Sequence, residues 1–399
     1  MRQWPVFAAL ASGALVVVAV GSTLPGAAGA TPGATGAPEV RTVRACPANP
    51  RPGFATCLAV AVAGPDGKVL SSSRPLAGFT PTDVQKAYNL TGLKSHGATV
   101  AIVDGNAYPD LESDLAKYRA QYGLPKCTTA NGCLTIMNQR GGSTPPKHVV
   151  SGWQLEQALD VDAVSAACPD CKIIMVQANT GGQKNLEKAV NTAAKQKGVV
   201  AISNSYILSY VHDHGMSPAY DHPGIAITAG TGDSGYKGGG FPADDPHVVA
   251  VSGTSIVPDG SKRGYTETAW AGTGSGCSVK KNNPAPPWQK DAGTTCGKFK
   301  AIGDVSAAAD PSRGGLVIVI HGNFSQVGGT SEATPLIAAV YALSGDTAGY
   351  PAKFPYQRSS NLYDITAGSN GACGVPLCTA RKGWDGVTGV GTPNGVKGF

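Results

Sequence analysis

The chain has 399 residues, 42% of them hydrophobic and only 15% charged, with 54 glycines and 29 prolines. That composition excludes an intrinsically disordered protein and fits a loop-rich, secreted α/β protein of one large domain or two smaller ones. The formal net charge of +6 comes from scattered lysines and arginines, so it reads as a solvated surface and offers no stripe for nucleic acid.

The first thirty residues read as a secretory signal. Arg2 supplies a positive start, "VFAALASGALVVVAV" an apolar run, and "AGA" ending at Ala30 a small-residue cleavage site. The apolar run falls short of the ~20 residues a membrane span needs, so the expected product is extracellular and free of the membrane. Cysteine usage agrees with export. The 10 cysteines fall into close pairs, Cys46/Cys57, Cys127/Cys133, Cys168/Cys171, Cys277/Cys296 and Cys373/Cys378, which read as disulfides. Zinc is the competing reading for "CPDC" at 168–171, but no second ligand pair of similar spacing accompanies it.

Residues 31–42, "TPGATGAPEVRT", form a Pro/Gly/Ala linker. The stretch 31–78 as a whole is either a short prosegment or a decorated N-terminal extension, and it contains a strand-like "CLAVAVAG". A regular domain, 79–399, follows from "GFTPTDVQKAYNL", where Thr80 is placed as N-cap and Pro81 at the first helical position. Short apolar runs then read as buried strands: "ATVAIVD" (98–104), "KIIMVQA" (172–178), "GVVAISNS" (198–205), "GIAITAG" (224–230) and "HVVAVSG" (247–253). Between them "DLESDLAKYRAQYG", "SGWQLEQALDVDAVSAAC" and "NLEKAVNTAAKQKG" carry helical spacing. Alternation of this kind predicts an α/β fold, a mostly parallel sheet with helices on both faces and sites at the carboxyl ends of strands.

Within that frame four residues carry chemistry. Glu156 and Asp160 stand four apart and share one helix face; they are either a solvated edge or, given Trp153, Leu155, Leu159 and Val161 around them, a partly buried pair. Asp233, in "TAGTGDSGYKGGG", follows a strand in a glycine-rich turn and is either an exposed functional acid or an Asx-turn residue. Ser331, in "VGGTSEATPLIAAV", sits behind a glycine pair at the mouth of an apolar helix, as an attacking hydroxyl is often presented. Histidine is the usual partner of such a serine, but His96, His148, His212, His214, His222, His247 and His321 all read as surface or loop residues.

"GGTS", a Glu-x-x-x-Asp helix and "GDSG" after a strand, in this order of acids and serine, resemble the sedolisin family of serine-carboxyl peptidases. The likeness runs from about Gly78 to Phe399 and includes "FTPTDVQKAY", "GDVSAAADP", "NLYDITAGSNG" and "GWDGVTGVGTPNG". It implies a subtilisin-like fold and a secreted endopeptidase, expected as a monomer, that cuts polypeptides and favours acidic pH. By resemblance Ser331 is the nucleophile, Glu156 its general base, Asp160 the residue that orients Glu156, and Asp233 an oxyanion donor acting with the Ser331 N–H. A glutamate with an ordinary pKa of about 4.3 stays partly ionised where an imidazole of about 6.5 is protonated, so the missing histidine is expected.

The resemblance also implies one calcium site, with carboxylates from Asp364 and Asp385 and carbonyls from Ile365, Arg381 and Gly383. Arg381 stands where the family commonly has glycine. The stretch 31–78 is far shorter than a usual family prosegment, and Tyr206 in "ISNSYILSY" replaces the tryptophan of the family's "SxSWG". Asp104, in "AIVDGNAYP", is either a strand cap or an added member of the acidic network. Three competing readings remain: a subtilisin-type peptidase built on Asp104 and a histidine, a secreted binding or structural module that kept the fold without the activity, and another hydrolase, such as an esterase, that uses the same serine.

Overall fold

The computed structural model describes Met1 and residues 40–208, 216–237, 240–278 and 283–399. The signal reading, most of the linker, His212 and His214 lie outside the described residues.

Three short strands come first, β1 (Thr42–Arg44), β2 (Ala55–Cys57) and β3 (Val60–Val62). Helix α1 (Pro81–Ala87) then begins on Thr80 with a reciprocal cap: the Thr80 side chain accepts from the Asp83 N–H, and the Asp83 carboxylate accepts from the Thr80 N–H. The alternating region follows as β4 (Thr99–Gly105), α2 (Leu111–Gln121), β5 (Leu134–Asn138), α3 (Ser151–Ala167), β6 (Lys172–Ala178), α4 (Gln183–Ala194), β7 (Val199–Asn204), β8 (Tyr206–Leu208), β9 (Ala226–Gly230), β10 (Val249–Pro258) and β11 (Tyr265–Ala269). After it come β12 (Gly276–Cys277), α5 (Pro287–Lys290), β13 (Ala301–Ile302), β14 (Val305–Ala308), β15 (Leu316–Ile320), β16 (Asn323–Gly328) and α6 (Thr330–Ser344).

The central sheet runs β11-β10-β9-β7-β4-β6-β5, with β14 also on β10, and every pairing but β10–β11 is parallel. Strands such as β4 are buried throughout, as a sheet covered on both faces requires. Successive residues of β4 serve opposite faces. Val100 and Ile102 join the cluster that holds Leu159 of α3 and Ile337 of α6, whereas Ala101 and Val103 join Leu186 and Val190 of α4. Helix α4 is amphipathic, burying Leu186, Ala189, Val190 and Ala193 at helical spacing. Helix α3 is buried at every residue after Ser151.

Arg119 of α2 holds α3 near its carboxyl end. Its buried guanidinium donates to Ser165 Oγ and to the carbonyls of Pro125 and Pro169. All the paired cysteines form disulfides, and Cys168–Cys171 closes the end of α3, which removes the zinc reading of "CPDC".

Among the additions to the sequence reading, two bear on the site's frame. Strand β5, "LTIMN", buries only Leu134 and Met137 and leaves Thr135 exposed. A second, antiparallel sheet, β1-β3-β16-β15, joins the start of the chain to the strand that leads into α6. Residues 40–78 are thus folded into the same compact unit as 79–399.

Candidate active site

Ser331 is placed by a strand-to-helix turn. β16 ends at Gly328, Gly329 takes φ 92° and ψ 167°, and α6 starts at Thr330. That backbone geometry is essentially restricted to glycine. The turn meets the segment after β9, where Asp233 Oδ1 accepts from the Thr330 N–H at 2.8 Å and from the Thr330 hydroxyl at 2.9 Å. Its Oδ2 has no hydrogen-bond partner. Burial pushes the Asp233 carboxyl up to about 6, against the opposing pull of the Thr330 donors and Arg44. Below that pH the acid holds a proton it can donate.

Glu156 and Asp160 project from α3 toward this turn, and both are fully buried, so the solvated-edge alternative falls away. Glu156 Oε2 accepts from the Ala59 N–H at 2.8 Å, while Oε1 has no partner. Ser331 approaches closely enough to lower the Glu156 pKa, but no bond of ordinary geometry joins them. The Ser331 hydroxyl instead lies 3.5 Å from the Ser205 carbonyl oxygen. Ser205 in turn donates its hydroxyl to Asp160 Oδ1 at 2.9 Å, so one residue between β7 and β8 links the serine to the second acid. Asp160 Oδ2 is unpartnered, and the nearby Glu156 raises the Asp160 pKa.

Asp104, at the end of β4, is buried with neither carboxyl oxygen hydrogen-bonded. Burial is the main reason that Glu156, Asp160 and Asp104 all lie well above the ordinary carboxylate range, and the Asp104 charge is the next largest influence on the other two. The pocket therefore resists holding several negative charges at once, which favours partial protonation. Tyr206 is buried beside this network. Its hydroxyl donates to Asn204 Oδ1 at 2.9 Å and lies 2.9 Å from the Tyr220 hydroxyl, and its ring meets Trp153 edge-on.

The structure thus brings Glu156, Asp160, Asp233 and Ser331 together, with Asp104 added. Among the described histidines, His321 pairs with Asp110 and His247 with Asp245, away from Ser331. Sequence reasoning did not single out Ser205, Thr330 or Ala59. Their roles arise from backbone and hydroxyl contacts across distant parts of the chain, for which no local pattern exists.

The calcium-candidate residues meet on two loops. The Arg381 N–H donates to Asp385 Oδ2 and the Gly383 N–H to Asp364 Oδ2, each at 2.9 Å. Burial pushes the Asp385 carboxyl up to about 6, and among the described residues no cationic side chain forms an ion pair with it. The Arg381 guanidinium turns away, donating to the carbonyls of Trp384 and Gly293, and Lys382 is exposed. Two carboxylates, with the carbonyls the same residues carry, are oxygen donors of the kind a hard cation takes, although Asp385 Oδ1 already accepts from Val387 and Thr388. Among the described residues no group of three His, Cys, Asp or Glu side chains is arranged to hold a metal ion, so such a site would rely on backbone oxygens.

No family model matches the chain. Kumamolisin from Bacillus sp. (strain MN-32) is 30% identical over 363 residues, covering 82% of this chain and 64% of kumamolisin. Sedolisin from Pseudomonas sp. (strain 101) is 24% identical over 356 residues, covering 79% of this chain and 60% of that protein. Tripeptidyl-peptidase 1 from Bos taurus is 26% identical over 380 residues, covering 79% and 63%. The chain therefore spans a little less than two thirds of the length of these relatives. Among solved structures, Pseudomonas sedolisin, a serine-carboxyl proteinase complexed with two molecules of pseudo-iodotyrostatin, matches with a TM-score of 0.65 at 22% identity. That match covers 79% of this chain and 95% of the other, and it shows a shared fold. These relatives support the sedolisin family for this chain.

Proposed function

We propose that the protein is a secreted serine-carboxyl endopeptidase that hydrolyses peptide bonds of polypeptides under acidic conditions. Ser331 is the nucleophile and Glu156 takes its proton, through the oxygen left unpartnered in the resting site. Asp160, held by Ser205, keeps Glu156 in place. Protonated Asp233 and the Ser331 N–H stabilise the oxyanion of the tetrahedral intermediate. Glu156 then returns the proton to the leaving amine, and water resolves the acyl-enzyme by the same route in reverse.

The observation that carries this reading is the burial of Glu156 beside Ser331, with Asp160 and Asp233 also buried around them. Acidic conditions suit it, because Asp233 is a donor only below about 6. Secretion rests on the signal-like start and the disulfides; no helix among the described residues is long and apolar enough to cross a membrane. Asp364, Ile365, Arg381, Gly383 and Asp385 would hold one calcium ion, whose charge would offset the buried Asp385 and pin the two loops together.

Cleavage of casein and of a peptide library, followed from pH 3 to 8 for wild type, Ser331→Ala and Glu156→Gln, tests the proposal. Both variants are expected to lose at least about 10³-fold in kcat/KM. Full activity in Ser331→Ala would end it.

A further inference from the structure

Next to Glu156 in the chain stands a buried residue that the proposed mechanism leaves unused. Gln157 is 0% exposed, and Gln177, near the end of β6, is 2% exposed. Gln157 projects from α3 roughly 100° round the axis from Glu156 and meets the sheet. Its Nε2 donates to the carbonyls of Gly105 at 3.1 Å and Asn106 at 3.2 Å, and its Oε1 accepts from Gln177 Nε2 at 2.9 Å. Carbonyls only accept, so they fix which end of the Gln157 amide faces β4 and leave its oxygen for Gln177.

Gly105 and Asn106 are the two residues after Asp104, and β4 pairs with β6 so that Asp104 lies opposite Gln177. Paired residues of neighbouring strands share a face of the sheet. Val100 and Ile102 of β4, with Ile173 and Met175 of β6, meet the α3 side, and the alternation carries Asp104 and Gln177 there too. The two backbones run about 4.8 Å apart, yet no hydrogen bond joins these side chains, because the amide is spent on Gln157. On its other flank β4 pairs with β7 as far as Ile102–Ser203, and Ser205, two residues on, donates its hydroxyl to Asp160.

Asp104 is thus left without a donor, whereas Glu156 has the Ala59 N–H. Where two close acids resist ionising together, the one with a donor takes the charge. The groups acting on this balance are Asp104 of β4, Asp160 of α3 and Asp233 after β9, with Tyr206 of β8 near Asp104 and Arg44 of β1 acting on Asp233.

We infer that Gln157 is a positioning residue: by engaging the Gln177 amide it withholds a neighbouring donor from Asp104, and so directs the pocket's negative charge to Glu156. This rests on the peptidase reading above and names what keeps its base ready. An amide suits the task, since it supplies donor and acceptor without a charge of its own. Replacing Gln157 by methionine frees the Gln177 amide to donate to Asp104, which then competes with Glu156 for the charge.

The test follows kcat and KM on casein and on a library peptide from pH 3 to 8, using the full-length protein as wild type, Gln157→Met, Gln177→Met and the double variant. The acidic limb of kcat/KM is expected to move up by about 0.5–1 pH unit in Gln157→Met. It should return to the wild-type position in the double variant, which has no amide to release. Gln177→Met alone is expected to leave the limb in place, while the melting temperature falls in all three variants. Gln157→Asn, one methylene shorter, serves if methionine prevents folding and should move the limb the same way. An unmoved limb in both Gln157 variants, or an equal shift in Gln177→Met, would overturn the inference and leave the pair a packing contact. A second readout is independent of turnover. In Ser331→Ala with isotope-labelled glutamate followed by NMR, Glu156 is expected to titrate at higher pH once Gln157→Met is added, and an unshifted titration would also overturn the inference. If wild type cuts neither casein nor the library, the peptidase reading fails and this titration alone decides the role of Gln157.

Discussion

Asp104 meets neither a donor nor a cation, and after burial its charge is what most raises the pKa of Glu156. The arrangement ties the ionisation of the base to a residue on a different element. Replacing Asp104 by asparagine keeps the side-chain volume and denies the pocket a negative charge at any pH, so the Glu156 pKa falls over the range in which Asp104 is ionised. The acidic limb of the pH profile of kcat/KM is expected to move to lower pH. An unmoved limb would leave Asp104 a strand cap.

Asp233 offers a complementary test because its environment separates acceptor from donor. Oδ1 is occupied by Thr330, and Oδ2 is free beside Gly329. Asparagine keeps the acceptor and places an N–H where only a protonated acid can now donate. Asp233→Asn is therefore expected to extend activity above pH 6, while Asp233→Ala loses about 10²–10³-fold in kcat at every pH. A basic limb common to wild type and Asp233→Asn would show that another group sets it.

The same buried acids set a pH dependence of stability. Asp104, Glu156, Asp160 and Asp233 all bind protons more tightly folded than unfolded, since burial raises each of them. Their contribution is complete below the unfolded carboxyl range near pH 4 and is lost as pH rises, for Asp233 through about 6. The melting temperature of Ser331→Ala, which avoids self-digestion, is expected to fall by a few degrees between pH 5 and 7. The fall should be smaller when Asp233→Asn is added.

Calcium makes the last prediction. Chelation is expected to lower the melting temperature, and Asp385→Asn to lower it in the same way and abolish the response to chelator. An identical melt with and without chelator would remove the ion from the account.

Much of the architecture can be read locally. The capped start at Thr80 and the buried runs of β4, β6, β7, β9 and β10 announce themselves by composition and spacing, and the four-residue step from Glu156 to Asp160 puts them on one face. What that spacing cannot tell is which way the face points; α6 and the sheet decide it by covering α3 completely. The antiparallel sheet is illegible for a different reason. Thr42 pairs with Val62, but Ala61 pairs with Val327, so its register is set by residues hundreds of positions apart. Ser205 and Ala59 are ordinary residues whose importance lies in a carbonyl, a hydroxyl or an N–H. The proposed calcium ligands are legible only through family resemblance, since three of the five offer only a backbone oxygen.

Helix α3 behaves as a shaft locked in its bearing. Slipping it by one residue would swing Glu156 and Asp160 by roughly 100°, and Arg119 with the Cys168–Cys171 closure opposes such a slip. With no face open to solvent, the helix has little freedom to drift. On the proposed peptidase reading, a change of specificity is therefore expected from residues that line the site rather than from movement of α3.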